Sequence, residues 1–173
     1  MPRTRNSLLR RMFGVLLISL MMSVGLLSGG GTASAALVNV ATPSPYPWEA
    51  PIPLDFNGYS AQLSVAEGPY VAKLGISVAP PTTDPIYSQQ FRLLTYSSHT
   101  EINWRNASTG ASGTAFSDEG GRYPSASALI DTGLGWVDYT IVITTGAFIP
   151  QLNPQTVSVS GSVEVVPWPY GPA

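Results

Sequence analysis

Apolar side chains recur at every second position through most of the chain after residue 60, a rhythm that predicts half-buried β-strands and not helices. Leu63 and Val65 share one face, with Gln62 and Ser64 on the other. After Gly68-Pro69, Ala72, Leu74, Ile76 and Val78 alternate with Lys73, Gly75 and Ser77. Phe91 to Tyr96 reads as a strand, and Ile102 and Trp104 point the same way in the next. Ala126, Ala128 and Ile130 form another face. The clearest segment runs from Trp136 to Thr144, with Val137, Tyr139, Ile141 and Ile143 on one side. From Thr156 to Val166, Val157, Val159, Val163 and Val165 fall on one face, with Gly161 among them, where a bulge or a close backbone approach is expected. Proline and glycine mark the breaks. Ala79 to Pro85 holds three prolines and reads as a loop, as do Asn106 to Gly113 and the turn Ser117-Asp118-Glu119-Gly120-Gly121.

Seven or eight short strands at this spacing predict an all-β fold, a two-sheet antiparallel β-sandwich. The placement of Trp104 on a central strand, and the stretch from Asp131-Thr132-Gly133 into Tyr139, resemble an immunoglobulin-type domain and its tyrosine corner. The resemblance implies immunoglobulin-like general architecture without the usual cysteine pair, and carries no function with it.

The first residues follow a different pattern. Arg3, Arg5, Arg10 and Arg11 precede a 15-residue uncharged run, Phe13 to Leu27, and then Ala33-Ser34-Ala35. A basic start, an apolar stretch and small residues at −3 and −1 make a secretory signal peptide, residues 1–35, cleaved between Ala35 and Ala36. The run is shorter than the roughly 20 residues that span a bilayer. Arg10-Arg11 partly matches a twin-arginine signal, but the Ser or Thr expected before the pair is missing, so the ordinary unfolded-chain route is preferred. Downstream, residues 36–59 read as a proline-rich segment packing on or beside the sandwich, and residues 60–173 as the β-sandwich with a Pro/aromatic tail.

Without the leader, Lys73, Arg92, Arg105 and Arg122 face ten acids, a net charge of −6. Four scattered cations leave no footprint for nucleic acid or anionic lipid. No membrane span is expected after processing. The chain has no cysteine, so disulfides and lipoprotein anchoring are excluded.

Catalytic chemistry is poorly represented. His99, the single histidine, is placed between two strands without a Gly-x-Ser-x-Gly elbow to present a nucleophile. One histidine and no cysteine cannot close a zinc site. Asp118 and Glu119, with Asp131 or Asp138, form at most a weak calcium turn. No pair of acids is marked out for glycoside cleavage. No cofactor is expected. Asn106-Ala107-Ser108 fits an N-glycosylation triplet and reads as a surface loop.

The two ends echo each other, Pro45-Tyr46-Pro47-Trp48 against Pro167-Trp168-Pro169-Tyr170. Alternating proline predicts extended, polyproline-like segments. Tyr46, Trp48, Trp168 and Tyr170 are therefore the candidate ligand-binding residues, against the plainer reading that proline protects the edges while the rings cover the rim of the core. Both readings put the segments side by side. The expected function is a non-enzymatic secreted or cell-surface β-sandwich with a structural or binding role toward an extracellular protein or polysaccharide. The alternatives are a carbohydrate-binding module, a secreted hydrolase around His99, and a pilin-like subunit.

Overall fold

The computed structural model describes residues 36–63, 71–81, 95–148 and 152–167. The strands are β1 (Ala36–Thr42), β2 (Ile52–Leu63), β3 (Val71–Ala79), β4 (Tyr96–Asn106), β5 (Ser112–Gly121), β6 (Ala126–Ile130), β7 (Gly135–Ala147) and β8 (Leu152–Val165). Among the described residues there is no helix. Two antiparallel sheets of four strands, ordered β1-β2-β3-β6 and β5-β4-β7-β8, turn their apolar faces to one core, an arrangement consistent with a β-sandwich.

Alternation fixes which side of each strand is buried. Val137, Tyr139, Ile141 and Ile143 are all inside, while Trp136 and Asp138 face out. Leu74, Ile76 and Val78 meet them from β3, and Ile52, Leu54 and Phe56 from β2. Each aliphatic chain so buried contributes about 1.5–3 kcal/mol.

Three parts of the chain lie differently from the sequence reading. Residues 36–42 and 52–59 do not form a segment beside the sheets; they are β1 and most of β2, paired from Ala36 opposite Gly58 to Thr42 opposite Ile52. Pro53 lies near the start of β2, opposite Ala41 of the edge strand β1 and before pairing with β3 begins at Asp55, a strand-end position where proline is tolerated. His99 lies within β4, and Ser117–Gly121 within β5, not in turns. The inward residues there are Ser98, Thr100 and Ser117, all buried, so the strands lack a greasy face to announce them.

Gly161 is a close approach and not a bulge. It pairs in register with Tyr139, and the one register shift between β7 and β8 falls at Thr145/Ala147. A straight row, Gly113–Trp104–Tyr139–Gly161, crosses β5, β4, β7 and β8. A Cβ on Gly161 would strike the Tyr139 ring, and one on Gly113 would come within 3.0 Å of Trp104. Gly58 yields the same space from the opposite sheet. Two bulky rings on the central strands thus fill room left by three glycines, which keeps the interior close-packed. Burial, as the larger cause, holds the Tyr139 hydroxyl above its ordinary pKa of 10.0, and a backbone hydrogen bond with Gly58 acts the other way.

Asn106 is not on the surface. It is fully buried and donates from Nδ2 to the carbonyls of Thr132 (2.9 Å) and Leu134 (3.0 Å). Its Oδ1 accepts from the N–H groups of Ser108 (2.9 Å) and Thr109 (3.0 Å). Both donors and both acceptor sites of the amide are used. It ties the β4–β5 turn to the β6–β7 connection and has no free N–H to carry a glycan.

Candidate functional site

The connection from β1 to β2 builds the most distinctive surface feature. Tyr46 to Glu49 close a turn, Glu49 N–H donating to the Tyr46 carbonyl at 3.0 Å. Pro47 occupies the position whose φ proline pre-sets, and this is why the segment turns and does not run on as an extended polyproline strand. Ser44 Oγ donates to Glu49 Oε2 at 2.7 Å and accepts from Tyr46 N–H at 3.2 Å. Tyr96 at the start of β4 also donates its hydroxyl to Glu49 Oε2.

The two aromatics of this turn part company. Tyr46 is 3% exposed, its hydroxyl donating to the Thr95 carbonyl at 2.7 Å. Its ring meets Tyr96 edge-on at 5.3 Å and Phe148 edge-on at 5.9 Å. Burial first, and the neighbouring Glu49 carboxylate second, raise its pKa above 10.0. Trp48 is 74% exposed, with its ring centroid 5.6 Å from that of Tyr46 at a 37° tilt. Tyr46 is an anchor without a free face; Trp48 is presented.

Phe148 completes the cluster in an uncommon conformation. Its φ is +63°, a left-handed value that costs a bulky residue of order 1–3 kcal/mol. Phe148 N–H donates to the same Thr95 carbonyl at 3.3 Å, and the ring remains 45% exposed. Asn153, also left-handed at φ +48°, donates from Nδ2 to the Pro45 carbonyl at 2.7 Å and ties the start of β8 to the turn. Leu152 beside it is exposed. The result is two exposed rings, Trp48 and Phe148, each set against the buried Tyr46 on a hydrogen-bonded base.

Trp168 and Tyr170 lie outside the described residues. The described ends of the two Pro-aromatic segments do not lie side by side. Pro45 sits at Asn153, whereas Val166 is tied to Gln62 at 2.6 Å and to Ser60 at 3.1 Å. Between these points runs β8, about 40 Å of extended strand.

The remaining candidates separate cleanly. His99 stands half exposed on the outer face of its sheet, its Nδ1 2.5 Å from Asp118 Oδ1 and its ring stacked on Phe116 at 5.9 Å. Glu119, the next residue, points the other way and accepts from Ser125 Oγ at 2.5 Å. Among the described residues no three His, Cys, Asp or Glu side chains gather to hold a metal. The outer rows are otherwise tied hydroxyl to hydroxyl, Thr140 with Ser160 and Thr144 with Thr156, each at 2.9 Å.

No family model, curated protein or solved structure matches this chain. Its function is therefore argued from the site alone. Sequence reasoning found Tyr46 and Trp48 through their prolines. It missed Glu49, Tyr96 and Phe148, which reach the turn only through long-range folding; the Tyr-Pro-Trp-Glu run was the one local hint, since proline at its second position favours a turn.

Proposed function

We propose that the chain is exported through a removable leader, residues 1–35, and acts outside the cell or at its surface as a non-enzymatic, immunoglobulin-like β-sandwich with a binding role. The observation that carries the binding role is Trp48, held out at 74% exposure by a buried tyrosine on a proline turn. Such a ring loses little conformational freedom on contact, which favours affinity. The strained backbone of Phe148, whose ring meets the same buried Tyr46, fits a cluster selected for presentation and not for stability alone. The His99–Asp118 contact favours a surface hydrogen-bonded pair over a catalytic base, because both side chains stand about half or more exposed on the outer face of the sheet.

The immunoglobulin-like reading draws on pairing order. β3 pairs with β6 in one sheet; β4 lies between β5 and β7 in the other, with β8 outside β7. Three connections cross between the sheets, from β3 to β4, β5 to β6 and β6 to β7. Trp104 and Tyr139 fall opposite each other on the adjacent strands β4 and β7.

A carbohydrate ligand is the second reading, favoured by the open ring of Trp48. Affinity electrophoresis through gels containing soluble neutral polysaccharides tests it, with retardation expected for the processed protein and lost in Trp48→Ala. Export is tested by N-terminal sequencing of protein from the culture supernatant, which should begin at Ala36. The broader binding role is tested with cell-envelope fragments from the producing cells. They should retain the processed protein and not Trp48→Ala; equal retention of both would remove this role for Trp48.

A further inference from the structure

We infer that β1 joins its sheet only after the leader has been removed, so that the cut between Ala35 and Ala36 is made on a chain not yet folded. This rests on the leader reading above and adds an order of events to it. Ala36 is the first residue of β1 and is already in register opposite Gly58. Gly58 is not at a strand end: β2 continues through Leu63, and on its other side Gly58 pairs with Ile76. Gly58 also gives Tyr139 its space in the core. The residue just downstream of the scissile bond therefore begins an edge strand and is paired opposite the middle of β2, with no spacer before the fold begins.

A peptidase takes its substrate extended and holds backbone groups near the bond, as other strand-binding proteins do. In the folded domain, the groups of Ala36 to Thr42 that face β2 are already paired with residues 52–58, while the other side of this edge strand has no strand neighbour. A peptidase that needs both sides of the chain finds only one, since a paired N–H or carbonyl is not free for a second partner. Freeing them means lifting β1 and exposing Val38 and Val40, which pack against the core. Opening of the whole strand, beyond fraying of its first residue, populates only a minor fraction of molecules.

The same geometry bears on the route of export. A twin-arginine passenger folds before it crosses, and this one would reach the peptidase with Ala36 already bound into the sheet. The unfolded-chain route delivers the bond open. Processing thereby becomes a checkpoint that places formation of β1, and closure of that edge, on the far side of the membrane.

The test presents two forms of the full-length precursor to purified leader peptidase in detergent micelles. One is the folded chain; the other carries Tyr139→Ala with Ile141→Ala and is kept only if tryptophan fluorescence shows it unfolded. Mass spectrometry maps the cut. The unfolded precursor should be cut between Ala35 and Ala36, and the folded one roughly tenfold or more slowly. A six-residue Gly-Ser spacer inserted between Ala36 and Leu37 should restore the rate on the folded chain. Equal rates for folded and unfolded precursor, or a spacer without effect, would overturn the inference and leave the leader standing. No cut at this bond in either form would remove the leader reading, and the inference with it.

Discussion

Tyr139 and Tyr46 are nearly equally buried, 4% and 3% exposed, yet they organise opposite kinds of structure. Tyr139 lies between the sheets, in room left by Gly58 and Gly161. Tyr46 sits on a turn outside the strands, held by one hydroxyl bond to Thr95 and by edge contacts to Tyr96 and Phe148. Around Tyr139 large fits small, and no ring is left over. Around Tyr46 the fit is between large rings, and one of them, Trp48, is left in solvent. Burial of a tyrosine therefore does not distinguish a keystone from a pedestal; the size of its neighbours does.

The largest effect should come from emptying the closed region. Tyr139→Ala is expected to cost about 3–5 kcal/mol, because the flanking glycines cannot fill the cavity. A urea midpoint close to wild type would mean the glycine slot is not tightly packed. Asn106→Ala, at the same end, removes four hydrogen bonds and strands buried partners, with an expected loss of about 3 kcal/mol. In a glycosylating host, folded secreted protein should carry no glycan at this residue, as read by peptide mass.

Gly161→Ala probes the slot from the other direction. Its added methyl meets the Tyr139 ring and should cost about 1–3 kcal/mol, with recovery when Tyr139→Leu is added. If the single change proved stabilising, the expected relief of chain entropy would outweigh the contact, and the slot would be loose.

Alkaline pH sharpens the comparison with no mutation. The pKa values of both hydroxyls are raised in the folded state. The fold therefore keeps these protons to higher pH than the unfolded chain does. Their contribution is complete below the unfolded value near 10 and is lost as pH rises through the folded values. Denaturant midpoints should fall above about pH 10, and Tyr139→Phe and Tyr46→Phe should each flatten the decline.

How much of this was legible in the sequence varies along the chain. β3, β6, β7 and β8 could be read because their inward rows are aliphatic or alanine and their outward rows mostly polar. β1 and β2 were masked by Pro43, Pro45, Pro47, Pro51 and Pro53, although Ile52, Leu54 and Phe56 alternate within them. The first half of β4 and the end of β5 put Ser98, Thr100 and Ser117 inside, so the contrast between faces disappears. The glycine at 161 signalled a close approach, but its partner Tyr139 became known only with the register. At the candidate site the Tyr-Pro-Trp segment was visible; its supports Tyr96, Phe148 and Asn153 come from distant positions that local pattern cannot bring together.

The smallest expected effect is also the most direct test of the pedestal. Tyr46→Ala and Trp48→Ala, compared in the same urea titration, should differ sharply. Loss of the buried Tyr46 ring is expected to cost about 3 kcal/mol, whereas Trp48→Ala should stay within about 0.5 kcal/mol of wild type. Equal losses, or a larger loss for Trp48→Ala, would show that the tryptophan serves the fold and is not presented for a partner.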